Sequence, residues 1–170
     1  SPSARAMRLI DGAEAIADDL PRSALTRVAV PAEAGEAVGT GIRRFSTLTR
    51  VRDALAEVLA SSDEPAVVIG GDCAVAVPAI AAAAERHPSV AVVWFDAHGD
   101  LHTPESSRSG ALAGMALRAA IEAGPFVATP LVPAARSVLV GARDLDDAEA
   151  ALLETSEIVT VSASALADPA

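Results

Sequence analysis

The chain has 170 residues, enough for one domain with a hydrophobic core but few for two. Hydrophobic residues make up 51% of the chain and charged residues 21%, which excludes a disordered protein. A net charge of -10 without any basic cluster argues against a nucleic-acid partner. The longest apolar run, residues 74–84, contains Pro78 and is too short for a membrane span, so a membrane partner is not expected either.

Apolar segments alternate with alanine- and leucine-rich segments of helical period along the whole chain. Helices are predicted over residues 5–20, 47–60, 76–86, 111–123 and 146–154. Strands are predicted over residues 27–30, 66–69, 90–95, 137–140 and 158–161. Because the strands are apolar on both faces and helices separate them, the sequence predicts an α/β three-layer sandwich with a central parallel sheet.

Two segments rich in Gly, Pro, Ser or Thr, residues 31–44 and 102–109, are predicted as long loops. The N-terminal segment lacks the features of a signal peptide. The single cysteine, Cys73, excludes an internal disulfide. A cytoplasmic location is therefore expected.

Polar clusters follow three of the predicted strands, where parallel sheets bind their ligands. They are "GGDC" at 70–73, "DAHGD" at 96–100 and "GARDLDDAE" at 141–149. In an extended chain Asp96, His98 and Asp100 project to the same side. Crowded carboxylates without a counter-charge favour a divalent cation, and mixed Asp/His ligands suit Mn(II), Fe(II), Co(II) or Zn(II). A solvated acidic loop is the alternative interpretation.

The third cluster has two interpretations. Asp144, Asp146 and Glu149 stand where a strand ends and a helix begins. Carboxylates at such a position cap the helix or bind a cationic ligand. The residues alone leave both interpretations open.

The three motifs, in this order, resemble the ureohydrolase family, which includes arginase and agmatinase. The family pattern is GGDH, DAHxDxxTPxxxxSGNxHGM and GxRDxDxxE, and the resemblance extends over residues 66–149. It implies an arginase-like sandwich that binds two divalent metal ions, Mn(II) first. These ions would hold a hydroxide that attacks the guanidinium carbon of a small guanidino or amidine substrate and releases urea. The resemblance also implies a homo-oligomer.

The resemblance assigns roles position by position. Asp96, His98 and Asp100 match metal ligands, with Asp96 in the bridging position. Ser107 and Ser109 match a polar loop that contacts the far end of the substrate. Asp146 and Glu149 match acids near the substrate's amino group.

Four positions depart from the family pattern, and one of them is Ala111, which replaces an asparagine of the substrate loop. Cys73 replaces a metal-binding histidine, so it is either a thiolate ligand that favours Zn(II) or Fe(II) over Mn(II) or a small buried residue. Ala113 replaces a proton-shuttling histidine and cannot transfer protons. His102 replaces an asparagine, and it is either a candidate catalytic shuttle or a solvent-facing loop residue.

Two segments of the family pattern have no counterpart in residues 1–170, namely the first strand of the sheet and a later DxDxxDP motif with two metal-binding aspartates. The chain is therefore expected to form a single, incomplete ureohydrolase-like domain. The first hypothesis is a metal-dependent, urea-releasing hydrolase when the domain is complete. The alternatives are a non-catalytic or regulatory homologue with a degenerate metal site, and a plain interaction domain.

Overall fold

The computed structural model describes residues 9–167, and its centre is a parallel sheet of three strands. Strand β1 is Val92–Phe95, β2 is Ser137–Val140 and β3 is Val159–Val161, paired in the order β1-β2-β3. Trp94 lies opposite Leu139, and Leu139 lies opposite Thr160. The predicted α/β class with a parallel sheet is therefore confirmed.

The described residues contain six α-helices in addition to the sheet. They are α1 Leu9–Asp18, α2 Phe45–Ala60, α3 Ala76–Arg86, α4 Ala116–Ile121, α5 Asp147–Thr155 and α6 Ala163–Ala167. Helix α2 packs on α3, and α3 packs on α4. None of the helices in residues 9–167 has the length and apolar character needed to cross a membrane.

The hydrophobic core lies between the sheet and helices α3 and α4. Ala116, Leu117 and Ala120 of α4 are completely buried, and the small alanines let this helix approach its neighbours closely. Trp94 and Leu139 of the sheet belong to the same core. This packing fixes β1 and β2, and with them the loops that follow both strands.

The structure differs from the predicted elements at several places. The opening helix, predicted over 5–20, begins no earlier than Leu9 among the described residues, and residues 5–8 lie outside them. The helix predicted over 111–123 is divided into a 3-10 turn, Leu112–Met115, and the short helix α4. Gly114 lies in that turn, where its low helix propensity favours a break. The two predicted loops are irregular, as expected.

Two strand predictions are wrong, because residues 27–30 and 66–69 pair with no strand in the described part of the chain. Both segments are apolar, but a strand also needs a hydrogen-bonded neighbour. Val67 is 89% exposed, and Phe95 on β1 is 72% exposed. Both apolar side chains are therefore open to solvent, Phe95 on the sheet and Val67 in the unpaired segment.

Candidate metal and substrate site

The loops that follow β1 and β2 are tied to each other at the carboxyl ends of these strands. The backbone NH of Asp96 donates to the carbonyl of Val140 at 3.2 Å. The carbonyl of Ala97 accepts hydrogen bonds from the NH groups of Arg143 and Asp144 at 2.8 and 2.9 Å. The second and third polar clusters of the sequence therefore meet at one edge of the sheet.

Cys73, Asp96 and Asp100 form a first group of potential metal ligands, which we call the thiol group. One ligand atom from each residue lies within 4.8 Å of the others. The Sγ atom of Cys73 donates to Oδ2 of Asp96 at 3.6 Å. Asp100 is only 5% exposed, and its Oδ2 atom has no hydrogen-bond partner among the described residues. Such a buried, unpartnered carboxylate oxygen is costly unless a cation or proton compensates it.

The local backbone explains how these side chains converge. Asp72 caps the 3-10 turn Cys73–Val75 by accepting a hydrogen bond from the NH of Ala74 at 2.9 Å, and this turn orients Cys73 toward β1. Asp100 has a φ of 52°, in the left-handed region that Asp tolerates better than most residues. With this backbone conformation the Asp100 carboxylate lies beside Asp96 and Cys73.

Burial controls the protonation of the thiol group. Desolvation, together with the adjacent Asp100 and Asp96 carboxylates, raises the pKa of the Cys73 thiol to about 12. Desolvation likewise raises the pKa of Asp100 from 3.8 to about 6. Partial burial also opposes ionisation of Asp96, but hydrogen bonds from the His98 NH, the Cys73 thiol and the His98 ring lower its pKa overall. Metal binding here would therefore have to release a proton from Cys73.

His98 lies beside the thiol group and outside it. Its backbone NH and its Nδ1 atom lie 2.9 and 3.2 Å from Oδ1 of Asp96. Its Nε2 atom lies 3.5 Å from Oδ2 of Asp144. The two carboxylate oxygens of Asp96 thus face different partners, Cys73 on one side and His98 on the other.

His102, Asp146 and Glu149 form a second group of potential ligands, which we call the imidazole group. One ligand atom from each residue again lies within 4.8 Å of the others. The Nε2 atom of His102 lies 3.1 Å from Oδ2 of Asp146, and the His102 side chain is only 17% exposed. The interpretation of His102 as a solvent-facing loop residue is therefore wrong, because its ring turns inward to Asp146.

Asp146 and Glu149 also form a capping box at the start of α5. Oδ1 of Asp146 accepts hydrogen bonds from the NH groups of Ala148 and Glu149 at 3.0 and 3.1 Å. Oε2 of Glu149 accepts one from the Asp146 NH at 3.4 Å. The hydrogen bond from the Glu149 NH is the main cause that lowers the pKa of Asp146. Both acids thus have a structural role, and their predicted contact with a substrate stays a prediction.

Ser107 and Ser109 hold the shape of the loop between β1 and α4. Their Oγ atoms are 3.4 Å apart, and they accept hydrogen bonds from the NH groups of Gly110 and Ala111, respectively. These bonds are local, so the predicted substrate contact of the two serines also stays a prediction.

Two residues with a role in this region had no separate signal in the sequence. Ser106 contacts Nδ1 of His102 through its Oγ at 3.0 Å, but in the sequence it is one of several serines in the loop. Gly99 lies against Glu149, and a Cβ atom at this position would be 2.8 Å from Oε1 of Glu149. Ser106 stands four residues after His102, and this spacing is the only sequence signal for their contact. The sequence around Gly99 carries no signal for its contact with Glu149.

The fold and the site define an α/β domain whose strand ends carry two adjacent groups of potential metal ligands. The family model for the arginase family matches residues 10–168. The chain therefore belongs to the arginase family, as the sequence motifs predict.

Individual relatives agree with this assignment. The chain is 34% identical over 127 residues to an arginase of Staphylococcus aureus, covering 71% of this chain and 42% of the relative. It is 32% identical over 112 residues to an N(omega)-hydroxy-L-arginine amidinohydrolase of Streptomyces lavendulae, covering 66% of this chain and 41% of the relative. The solved arginase of Bacillus cereus superimposes with a TM-score of 0.69 at 30% identity, over 76% of this chain and 48% of that one. The chain thus spans less than half the length of these relatives.

The thiol group fits the metal dependence that is general in the arginase family. Its donor set is one thiol and two carboxylates, and Oδ2 of Asp100 is a buried oxygen without a partner. A divalent cation would compensate both the buried charge and the repulsion between Asp96 and Asp100. The residues that are present therefore suit a cation, although the family's later aspartate pair does not occur within residues 1–170.

Proposed function

We propose that this protein, at its full natural length, is a metal-dependent hydrolase of a C–N bond in a small guanidino or amidine compound, with release of urea from a guanidine. The observation that carries the proposal is the thiol group at the carboxyl end of β1 in a chain of the arginase family. Asp100 supports it most directly, because its buried Oδ2 atom lacks a partner among the described residues. Asp residues with such an oxygen are suited to a cation.

Asp96 is the proposed bridging ligand between two divalent ions. Its Oδ2 atom faces Cys73 and its Oδ1 atom faces His98, so each oxygen has a separate neighbouring ligand. Cys73 and Asp100 would hold one ion, and His98 would belong to the other. Bound divalent ions supply Lewis-acid chemistry to hydrolysis. Mn(II) is the proposed metal, and the thiolate of Cys73 makes Zn(II) or Fe(II) the alternative.

The acidic surroundings support a cationic substrate. Asp146 and Glu149 lie at the start of α5, next to the loop that follows β1. Asp146 remains partly exposed. These carboxylates would attract a guanidinium or amino group, and Ser107 and Ser109 would contact the far end of the molecule. We further propose a cytoplasmic homo-oligomer, in keeping with the family resemblance.

Ala113 and Cys73 favour a second candidate, a non-catalytic or regulatory homologue with a degenerate metal site. Ala113 lies in the turn Leu112–Met115 and offers no group for proton transfer. The NH of His102 donates to the carbonyl of Gly114, the residue after Ala113, at 3.0 Å, so the imidazole is a candidate replacement beside this turn. Under the first candidate His102 would carry the proton to the leaving amine.

A urea-release assay separates the two candidates. The full-length protein is saturated in turn with Mn(II), Zn(II) and Fe(II) and incubated with arginine, N-hydroxyarginine, agmatine and guanidino acids. Metal-dependent urea release that is lost in Asp96→Asn supports the hydrolase. Absence of urea from every substrate would reject the hydrolase on guanidines, and fewer than two metal ions bound per subunit would then favour the homologue with a degenerate metal site.

A further inference from the structure

A cavity of about 190 Å³ lies between the loop after β1, helix α4 and the segment that follows α4. Its apolar wall is formed by Ile42, Leu112, Met115 and Phe126, each no more than 3% exposed. Of the residues of the candidate site only His102 borders this cavity. The volume is below the roughly 300–1,000 Å³ of sites for drug-sized ligands, so the cavity suits a small molecule.

The apolar wall is held in place around Phe126. The NH1 group of Arg52 donates to the carbonyl of Phe126, and the Cζ atom of Arg52 lies 5.2 Å from the centroid of the Phe126 ring. Phe45 packs edge-on against the same ring, with 6.4 Å between the centroids. A wall that is already ordered lowers the entropic cost of binding a ligand.

Arg118 places an incompletely paired cation in the wall of the cavity. Its side chain is only 20% exposed, and Glu122 is its only carboxylate partner among the described residues, with NH2 at 2.6 Å from Oε2. The buried Nε atom has no hydrogen-bond partner in the described part of the chain. A buried donor without an acceptor is costly, and hydrogen bonds between guanidinium and carboxylate groups are among the strong ones. A ligand carboxylate would give Arg118 the second partner that it lacks.

The cavity wall also carries negative charge. Glu122 is 53% exposed, and Glu105, which lines the cavity as well, is exposed. A simple anion would be repelled by these two carboxylates, whereas a molecule with one group of each sign would pair with both kinds of charge. The charges therefore favour a zwitterion, and the apolar wall favours a zwitterion with an apolar side chain.

We infer that this cavity binds one free α-amino acid with an apolar side chain. Arg118 receives the carboxylate, Glu122 receives the ammonium group, and the apolar wall receives the side chain. The inference does not rest on the proposed hydrolase activity, because none of the proposed metal ligands, Cys73, Asp96, His98 and Asp100, lines the cavity.

Isothermal titration calorimetry of the full-length protein with L-leucine, in the presence of chelator, tests the inference. One equivalent should bind. Isocaproate lacks the ammonium group, isoamylamine lacks the carboxylate and glycine lacks the side chain, so each should bind about 10-fold more weakly or worse. The absence of saturable L-leucine binding, or equal affinities for L-leucine and the three analogues, would overturn the inference. Urea release is not a readout, so this inference and the proposed function fail separately.

Two variants locate the bound amino acid. Arg118→Met keeps an apolar stem and removes the guanidinium, so the L-leucine affinity should fall about 10-fold or more. Arg136→Met is the matched control, because this exposed arginine does not line the cavity, and its affinity should equal that of the wild type.

Glu122→Gln changes a half-exposed side chain and tests the site independently if Arg118→Met does not fold. It should weaken L-leucine binding about 10-fold and reduce the difference in affinity between L-leucine and isocaproate. Circular dichroism verifies that each variant is folded. Wild-type affinity for L-leucine in a folded Glu122→Gln or Arg118→Met protein would overturn the inference, because the amino acid would then bind elsewhere.

Discussion

The Sγ atom of Cys73 lies 3.6 Å from Oδ2 of Asp96, and its thiol donates a hydrogen bond to that carboxylate. The contact joins the turn that precedes α3 to the end of β1. It also gives the thiol the position that a metal-binding side chain would take beside Asp96. In the metal-free protein the raised pKa of Cys73, about 12, keeps the sulfur protonated at neutral pH. Metal selectivity at this position should therefore depend on the sulfur.

Cys73→His should move the metal preference of the thiol group toward Mn(II). Imidazole is harder than thiolate, so the Mn(II) affinity should rise about 10-fold relative to that for Zn(II). Competition binding with the two metals measures this ratio. An unchanged ratio would mean that Cys73 is a buried residue and not a ligand.

Asp96→Ala should abolish metal binding at the thiol group, because it removes the carboxylate that faces both Cys73 and His98. Elemental analysis after dialysis measures the metal content. Asp144→Ala is a matched control, since the side chain of this exposed acid lies 3.5 Å from the far nitrogen of His98 and belongs to neither group of potential ligands in the described part of the chain. Equal metal contents in wild type and Asp96→Ala would contradict the assignment.

Asp100→Asn should stabilise the metal-free protein, and increasingly so as the pH rises from about 4 to about 6. Burial raises the folded-state pKa of Asp100 from 3.8 to about 6. The folded state thus retains a proton that the unfolded state has lost, and this contribution to stability is full below pH 3.8 and lost as the pH passes about 6. Asparagine does not titrate. Thermal unfolding of both proteins in chelator measures the difference in Tm, and a difference that is constant over this range would contradict the argument.

Gly99→Ala should destabilise the protein by about 1–3 kcal/mol, because overpacking forces neighbouring atoms to move. The added Cβ atom would meet Oε1 of Glu149 at 2.8 Å and disturb the acid that closes the capping box of α5. Gly124→Ala is the control, since no atom lies within 4 Å of its added Cβ, and its effect should be within about 0.5 kcal/mol. Urea denaturation measures the free energy of unfolding of both variants. An equal decrease in Gly99→Ala and Gly124→Ala would contradict the specific contact with Glu149.

Local spacing predicted part of the site and long-range packing determined the rest. The period-two argument correctly associates Asp96 with Asp100, but it also groups His98 with them. The backbone bends at Ala97 and His98, so the alternation of an extended chain does not hold there, and His98 lies beside the thiol group. The contact between His102 and Asp146 depends on how the loop after β1 folds back, and spacing along the chain carries no information about that.

The same limit applies to the fold. Apolar runs correctly predicted β1, β2 and β3, since these segments pair with one another in chain order. Residues 66–69 are equally apolar and equally short, yet no described strand pairs with them. Hydrophobicity reports the preference of a segment for an extended, buried conformation, whereas pairing depends on which neighbour is available.

Strand β1 pairs with β2 on one side, and no other strand in residues 9–167 covers its opposite edge. The apolar side chains of Val93 and Phe95 on this strand are exposed, so the open edge combines unpaired backbone groups with an apolar surface. An edge of this kind is a template for strands of other molecules. Residues 1–170 produced alone should consequently self-associate at high concentration, and colloidal stability rather than folding would limit their yield.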